Sequence, residues 1–203
     1  MLENWGAVDE ALNIAFRTED NRILHPALVG IDSGDGNRTD VVLEYVLSLH
    51  AKGQSAVALK GVGGDRATIK KGGITRGKTR LYVVGVDGVK SSLYQRLAID
   101  VGDPGSVTIS NHLPDEFYEG LTAEYIETTY KRGFRQDKFA KKRGVANEPL
   151  DVAVYNIALR ELTVHLGLHK QQRDTSKPQQ TIADLAKQSK AIFNKGKHDG
   201  ESS

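Results

Sequence analysis

The chain has 203 residues, of which 38% are apolar and 27% charged, and its formal net charge is +2. This length predicts one domain with an appended tail, because domains average about 150 residues. The chain has no cysteine, which excludes disulfides and thiolate chemistry, and the absence of an apolar run of about 18 residues excludes a membrane-spanning helix. The N-terminal segment lacks a secretory signal, so we expect a protein that is not secreted and has no membrane partner.

The first half of the chain has the pattern of a parallel sheet. Residues Asn4 to Arg17 show amphipathic helical spacing. The run "ALVGI" (27–31) predicts a strand, "TDVVLEYVLSLHAKG" (39–53) a helix that ends near Gly53, and "SAVALKG" (55–61) a second strand. Strand, helix and strand in this order predict a βαβ unit, and the fold class is therefore α/β.

The middle of the chain continues the sheet and then changes character. "GVGGDRATIKKGGITRGKT" combines glycine with basic residues and predicts a mobile loop. "RLYVVGVD" predicts a third strand and "VKSSLYQRL" a short helix, while "GSVTIS" has the pattern of a short edge strand. Residues 123–139, "AEYIETTYKRGFRQDKF", predict a β-hairpin that turns near Gly133.

The C-terminal part begins with the clearest helical pattern in the chain. "NEPLDVAVYNIALRELTVHLGL" has Pro149 in its first turn and an apolar stripe of Leu150, Val154, Ile157 and Leu162. Beyond residue 168 the sequence is polar and predicts a flexible tail with a marginal helix over 181–193. We therefore expect a domain over 1–168 and a tail over 169–203.

Several carboxylates fall at predicted element ends. Asp32 follows the first strand, with Asp35 three residues on, Asp87 closes the third strand, and Glu148 and Asp151 lie at the start of the last helix. Ligands of open α/β sheets bind at the carboxyl ends of the strands. Carboxylates gathered there can hold Mg²⁺ or Mn²⁺, and two such ions can promote cleavage of a phosphodiester.

Each of these carboxylates also has a plainer explanation. Asp32 and Asp35, in "DSGDG", have the composition of a turn in which they bond their own backbone. Glu148 and Asp151 would complement the dipole of the last helix without any metal. Lys60, after the second strand, either pairs with a carboxylate or lies free at the surface.

Two further motifs point to other kinds of site. "GVGGD" would suit a nucleotide-binding loop, but it lacks the spacing of the phosphate-binding motif and the helix that should follow. His165 and His169 are four residues apart, but the local sequence offers no acidic partner for a zinc site.

A basic segment is the most uneven feature of the charge distribution. "KRGFRQDKFAKKR" (131–143) holds seven basic residues and one acidic residue. Such a segment can neutralise DNA phosphates, or it can be an ordinary solvated surface. Its basic residues are Lys131, Arg132, Arg135, Lys138, Lys141, Lys142 and Arg143.

An ordered series of blocks carries a family resemblance over residues 8–162. The blocks are "VDEALNIAF", "VGIDSGDG", "VALKGVGG", "LYVVGVDGVKSSLYQRL", "LTAEYIET" and "NEPLDVAVYNIAL". The series resembles the endonuclease region of the large terminase subunit of lambda-type tailed phages, and the last block, similar to the family's "NEALDC.VYALAA", is the most specific.

The resemblance implies a ribonuclease-H-like nuclease that cuts concatemeric double-stranded DNA during packaging. It implies Asp32, Asp151 and Lys60 as catalytic residues and Mg²⁺ or Mn²⁺ as cofactor, with Asp35, Glu148 and Asp87 as further candidate ligands. ATP would be used only by the family's motor domain, which these blocks do not include. The implied partners are the small terminase subunit and the portal, and the implied location is the host cytoplasm.

The resemblance also has a gap at its N-terminal side. The family's fold opens with three antiparallel strands, the first of which carries a catalytic aspartate, whereas here a helix pattern precedes the strand "ALVGI". We therefore expect a domain that lacks the first strands of the fold and keeps a mostly parallel core sheet flanked by helices. The alternative function is a catalytically incomplete DNA-binding or assembly module derived from that domain.

Overall fold

A computed structural model describes residues 5–14, 16–18, 21–36, 38–74 and 79–168 of the protein. Its helices are α1 (Gly6–Leu12), α2 (Thr39–Ala51), α3 (Val86–Leu97), α4 (Asp115–Leu121) and α5 (Glu148–His165). Its strands are β1 (Phe16–Arg17), β2 (Ile23–Leu24), β3 (Val29–Asp32), β4 (Ala56–Val62), β5 (Ile69–Ile74), β6 (Arg80–Gly85), β7 (Glu124–Lys131) and β8 (Phe134–Lys141). The predicted tail helix and the proposed tail over 169–203 lie outside the described residues.

The central sheet has four strands in the order β3-β4-β6-β5. β3 pairs with β4 and β4 with β6 in parallel, whereas β5 runs antiparallel to β6. The predicted α/β class and the mostly parallel core are confirmed. β1 with β2, and β7 with β8, form two separate antiparallel pairs.

Helices cover both faces of this sheet. On one face α2 packs against β3 and β4 around fully buried Val46 and Leu49, and Trp5 and Leu12 from the α1 end of the chain pack on the same cluster. We call this cluster the α2 core. On the other face α3, α4 and α5 share a second cluster with the sheet, the α5 core, to which β4 contributes Leu59. The result is a helix–sheet–helix sandwich.

An aromatic stack joins α1 to α2. The rings of Trp5 and Tyr45 stack with centroids 4.0 Å apart, and the Tyr45 hydroxyl donates a 2.6 Å hydrogen bond to Asp9. Asp9 also accepts a 2.9 Å hydrogen bond from Lys52. The predicted N-terminal helix is confirmed for residues 6–12, but it ends before Phe16, which lies in β1.

The predicted mobile loop over 61–79 is wrong, because it contains β5. Pairing along a sheet edge uses backbone groups and needs few apolar side chains, so the residues "IKKGGI" can form a strand without apolar periodicity. Ile69 packs on the α5 core. A Cβ atom on Gly72 would lie 2.8 Å from the Leu81 carbonyl oxygen, so this strand needs glycine where it approaches β6.

The predicted edge strand "GSVTIS" is also wrong. Residues 105–110 form no strand, because β5 occupies the sheet edge beside β6. Val107 and Ile109 instead pack against the α5 core. α4, which sequence reasoning did not predict, follows and buries Leu121.

The hairpin and the last helix form where their patterns predicted. β7 and β8 pair over their full length from Glu124 with Lys141 to Lys131 with Phe134. Arg132 and Gly133 both have positive φ, 54° and 83°, as a two-residue type I′ turn requires. None of the helices in the described ranges has the length and apolar character needed to cross a bilayer.

Two valines of α5 test the packing of this helix. Val154 is fully buried and Val152 is 56% exposed. Val154→Ala should lower the free energy of unfolding by about 2 kcal/mol, because it removes buried methyl groups and leaves a cavity. Val152→Ala should change it by less than about 0.5 kcal/mol. Urea denaturation measures both, and equal effects would contradict the burial of this helix face.

Candidate active site

Side chains of the parallel strands alternate between the two helical layers. On β3, Val29 and Ile31 pack in the α2 core, so Gly30 and Asp32 face the opposite layer. A Cβ atom on Gly30 would lie 2.6 Å from Leu159 of α5. Asp32, at the carboxyl end of β3, is therefore on the α5 side of the sheet.

Asp32 interacts with its own turn and with α5. Its Oδ1 accepts a 2.9 Å bond from the backbone N–H of Gly34, which is the turn geometry that its neighbours predicted. Its carboxylate also interacts electrostatically with the Tyr155 hydroxyl of α5. Asp32 therefore stabilises the turn after β3 and also interacts with α5.

α5 presents three polar residues at four-residue intervals, Asn147 just before the helix, then Asp151 and Tyr155. Residues four apart share one helix face. Burial, followed by the charge of Asp32, raises the pKa of Tyr155 above its usual range. The hydroxyl therefore stays protonated at neutral pH.

Asp151 lies in the field of several charges. Burial raises the pKa of its carboxyl, the Lys90 ammonium opposes that rise, and the carboxylates of Glu124 and Asp32 add to it. Asp32 and Asp151 therefore lie within electrostatic range of each other, as their shared role requires. Tyr155, one turn along α5, also interacts with both.

Lys90 of α3 and Glu124 of β7 form a buried ion pair beside Asp151. Their side chains are only 8% and 7% exposed. Lys90 Nζ lies 2.9 Å from Oε1 and 2.7 Å from Oε2 of Glu124, and 3.6 Å from Oδ1 of Asp151. Asn147 Nδ2 donates to Glu124 Oε1 at 2.9 Å and to Asp151 Oδ2 at 3.1 Å. We call these four residues the Lys90 network.

The base of the hairpin is fixed to α3 at the same place. The Tyr94 hydroxyl donates a 3.0 Å hydrogen bond to the Glu124 carbonyl oxygen. The rings of Tyr94 and Phe139 meet edge to face with centroids 6.0 Å apart. The hairpin therefore starts at the candidate site and extends away from it.

Of the three other predicted ligands, two have local partners and one is exposed. Asp87 accepts a 2.6 Å hydrogen bond from the Gly64 N–H, and Asp35 lies 3.7 Å from the Arg38 guanidinium. Glu148 is exposed in the first turn of α5. Their assignment as metal ligands stays a prediction.

Lys60 lies on the other side of the sheet from Asp32. Ala56 and Ala58 of β4 pack in the α2 core, and Lys60 continues this alternation. Its side chain is exposed. Asp32 thus lies on the α5 side of the sheet, within electrostatic range of Asp151, and Lys60 lies on the opposite face. The catalytic role of all three residues stays a prediction.

Four residues of this region were not predicted from the sequence, although the spacing of two of them is visible in it. Asn147 and Tyr155 follow the four-residue spacing through Asp151 in "NEPLDVAVY". Glu124 and Lys90 lie in quoted blocks, but nothing in the local pattern of either block predicted their burial against each other. Only the packing of α3 against the hairpin base reveals that pair.

The described carboxylates do not assemble a complete metal site. Within residues 5–168, leaving aside the few undescribed positions, no group of three histidine, cysteine, aspartate or glutamate side chains could hold a metal ion. Asp32 and Asp151 supply two oxygen-donor side chains, which hard cations prefer. The third nearby acid, Glu124, is engaged by Lys90 through both of its oxygens.

The basic segment is divided between the two faces and the turn of the hairpin. The register places Lys131 and Lys138 on one face and Arg135 and Lys141 on the other, with Arg132 at the turn. All are exposed. Lys142 and Arg143 follow the hairpin and are exposed as well.

One member of the segment is engaged by a carboxylate. Arg135 forms two contacts with Asp137, each 2.9 Å long, from Nε to Oδ1 and from Nη2 to Oδ2. This two-bond geometry is favourable for a guanidinium. Arg135 is therefore less available to an external phosphate than the other exposed cations.

One family model matches the chain. It is described as the terminase large subunit gpA, endonuclease domain, and it matches residues 2–174. No curated protein and no solved structure gives a significant match. The matched range includes Asp32, the Lys90 network and the whole hairpin.

The interaction between Tyr155 and Asp32 can be tested with two tyrosine variants. Tyr155→Phe should lower the free energy of unfolding by about 1 kcal/mol, since it removes a partly buried polar contact with Asp32. Tyr130→Phe is the matched control, because Tyr130 is 73% exposed, and it should have no measurable effect. Urea denaturation measures both.

A phenolate titration checks the same contact independently. Because the pKa of Tyr155 is raised, Tyr155→Phe should remove from the titration one tyrosine that ionises above the usual range. Loss of a tyrosine with ordinary titration would mean that Tyr155 is not held against Asp32 in solution.

Proposed function

The chain belongs to the family of terminase large subunit gpA endonuclease domains, and from this we propose that it cuts concatemeric double-stranded DNA during phage genome packaging. Cleavage takes place at the sheet edge where Asp32 and Asp151 lie. The observation that supports this site is the contact of α5 with the end of β3, where Tyr155 binds Asp32 and Asp151 lies one turn away.

The reaction class that fits this edge is hydrolysis of a phosphodiester supported by Mg²⁺ or Mn²⁺. Two carboxylates on the same side of the sheet create the negative field that a hard cation needs. Tyr155 orients Asp32, and Asn147 orients Asp151 by a 3.1 Å hydrogen bond. Further ligands are needed beyond these two side chains, because the described residues form no three-ligand group.

The fold on this proposal is ribonuclease-H-like. Its support is the parallel pair β3 and β4 with the intervening α2, and α5 packed across the end that carries Asp32. The domain acts in the host cytoplasm beside the small terminase subunit and the portal. These partners and this location follow from the family alone.

The alternative is a DNA-binding or assembly module that has the domain but not the reaction. One observation favours it: Lys90 binds the carboxylate of Glu124 and faces Asp151, so part of the negative charge of these two acids is already compensated. The two functions make opposite predictions for cleavage and the same prediction for DNA binding, and a cleavage assay can therefore separate them.

Plasmid nicking in Mn²⁺ tests the nuclease proposal. Asp32→Asn and Asp151→Asn should each reduce the nicking rate at least about 100-fold, equivalent to about 2.7 kcal/mol of transition-state stabilisation. Asp103→Asn, at an exposed position in the segment between α3 and α4, is the control and should retain the wild-type rate.

The outcome for the parent protein decides between the two functions. A protein that binds duplex DNA but does not nick it in Mn²⁺ or Mg²⁺ supports the incomplete module. Nicking that survives both Asp32→Asn and Asp151→Asn would place the reaction elsewhere.

The hairpin holds DNA through phosphates without reading bases. Lys131, Arg132 and Lys138 are exposed on an arm that projects from the site, and Lys142 and Arg143 continue the basic surface at its base. Lysine and arginine on phosphate contribute affinity that does not depend on sequence. The arm therefore suits an enzyme that must hold duplexes of varying sequence.

The salt dependence of DNA binding tests this role. Each phosphate contact contributes about 0.9 to the slope of log affinity against log salt, so Arg132→Ala, Lys138→Ala and Lys142→Ala together should reduce it by about 2.7. The loss of DNA affinity should be similar for duplexes of unrelated sequence. The charge-neutral control, Arg135→Ala with Asp137→Ala, should leave the slope unchanged, because these side chains bind each other.

Two results would contradict this assignment. A loss confined to one DNA sequence would indicate base readout. An unchanged slope in the triple variant would mean that the basic segment is an ordinary solvated surface.

A further inference from the structure

Lys90 is a buried cation that the proposed reaction does not use. Its side chain is 8% exposed, and a buried charge is costly unless it is paired and hydrogen-bonded. Two short contacts go to Glu124, at 2.7 and 2.9 Å, and a longer one of 3.6 Å goes to Asp151. Lys90 therefore lies between two carboxylates that come from different elements.

Asn147 makes the complementary bridge. Its Nδ2 donates to one oxygen of Glu124 and to one oxygen of Asp151. Both carboxylates thus share two donors, one charged and one neutral. With two negative charges and one positive charge, the Lys90 network carries a formal charge of −1 rather than the −2 of the acids alone.

We propose that Lys90 is a positioning residue, an internal counter-cation that keeps Glu124 and Asp151 side by side without a divalent metal ion. Its ammonium takes the place between the two acids that a bound cation would otherwise fill. A consequence is that Glu124 is not available as a metal ligand while Lys90 is in place. The proposal concerns charge compensation in the folded protein and does not depend on nuclease activity.

Packing alone would be a different reason for a lysine at this position. The Lys90 ammonium lies 5.8 Å from the centroid of the Phe139 ring, and its aliphatic stem is buried with α3. If packing were the whole role, an apolar side chain of similar length would replace it at little cost. If charge compensation is the role, the apolar replacement leaves two uncompensated acids, which is strongly destabilising.

Lys90→Met separates these two roles. We expect its Tm in a chelator to fall well below that of the parent, and added Mn²⁺ to restore much of the loss, because the cation replaces the missing charge. Calorimetry should show Mn²⁺ binding at least ten-fold tighter than in the parent protein.

Lys52→Met is the matched control for removing a paired lysine. Lys52 lies 2.9 Å from Asp9 but is 52% exposed and faces a single carboxylate. It should show neither the cation-dependent recovery nor the gain in Mn²⁺ affinity. A similar response in both variants would mean that any lost lysine has this effect, and the proposal would be wrong.

A second change tests the charge balance directly. Lys90→Met combined with Glu124→Gln restores the formal charge of the network to −1. This double variant should regain stability in the chelator and lose the added Mn²⁺ affinity. If Lys90→Met does not fold at all, the double variant still tests the charge balance, because it is expected to regain stability.

The outcomes that overturn the proposal are clear. If Lys90→Met is as stable as the parent in the chelator, or responds to Mn²⁺ no more than the parent does, Lys90 is not a counter-cation. If the double variant is no more stable than Lys90→Met, packing rather than charge explains the buried lysine. None of these measurements uses DNA cleavage, so a failed nuclease assay leaves them interpretable.

Discussion

The alternation of side chains along the buried parallel strands is the constraint on which the rest of this structure depends. Both faces of the sheet are covered by helices, so successive residues of a strand enter two different cores. On β4 the small residues Ala56 and Ala58 meet α2, while Leu59 enters the α5 core. The same rule places Asp32 on the α5 side and Lys60 on the other.

The Lys90 network connects elements that are far apart in the chain. α3, the start of β7 and the start of α5 meet where Glu124 and Asp151 share Lys90 and Asn147 as donors. A buried ion pair of this kind adds little net stability over an apolar replacement, whereas removal of one partner strongly lowers the free energy of unfolding. Its contribution is therefore geometric, since it fixes where the hairpin leaves the domain.

On the proposed function, that geometry would link DNA binding to the candidate site. Glu124 begins the hairpin beside Asp151, and the exposed cations Lys131 and Arg132 lie at its far end. The two paired strands form one continuous arm. The hydrogen bond from the Tyr94 hydroxyl to the Glu124 carbonyl oxygen fixes the base of this arm to α3. A duplex held along this arm would be oriented relative to Asp32 and Asp151, whether the domain cuts it or only positions it for assembly.

Local patterns determined much of this protein. The strand, helix and strand around Asp32, the hairpin turn at Gly133 and the apolar stripe of α5 each depend on patterns within short segments of the chain, and all were predicted from sequence. Strand β5 was missed because an edge strand is held by backbone pairing, which glycine and lysine support as well as apolar residues do. A site shared by Asp32 and Asp151 was also predicted, from their positions at element ends, and it stays a prediction.

Only the tertiary structure decided which charges meet. Lys90 and Glu124 are 34 residues apart, and neither is distinguished locally from the many surface lysines and glutamates of the chain. Their burial depends on how α3 packs against the hairpin base, and the cost of a lone buried charge then requires that they pair. Sequence therefore determined the elements and the acids at their ends, whereas packing decided that one acid has a lysine as its permanent partner.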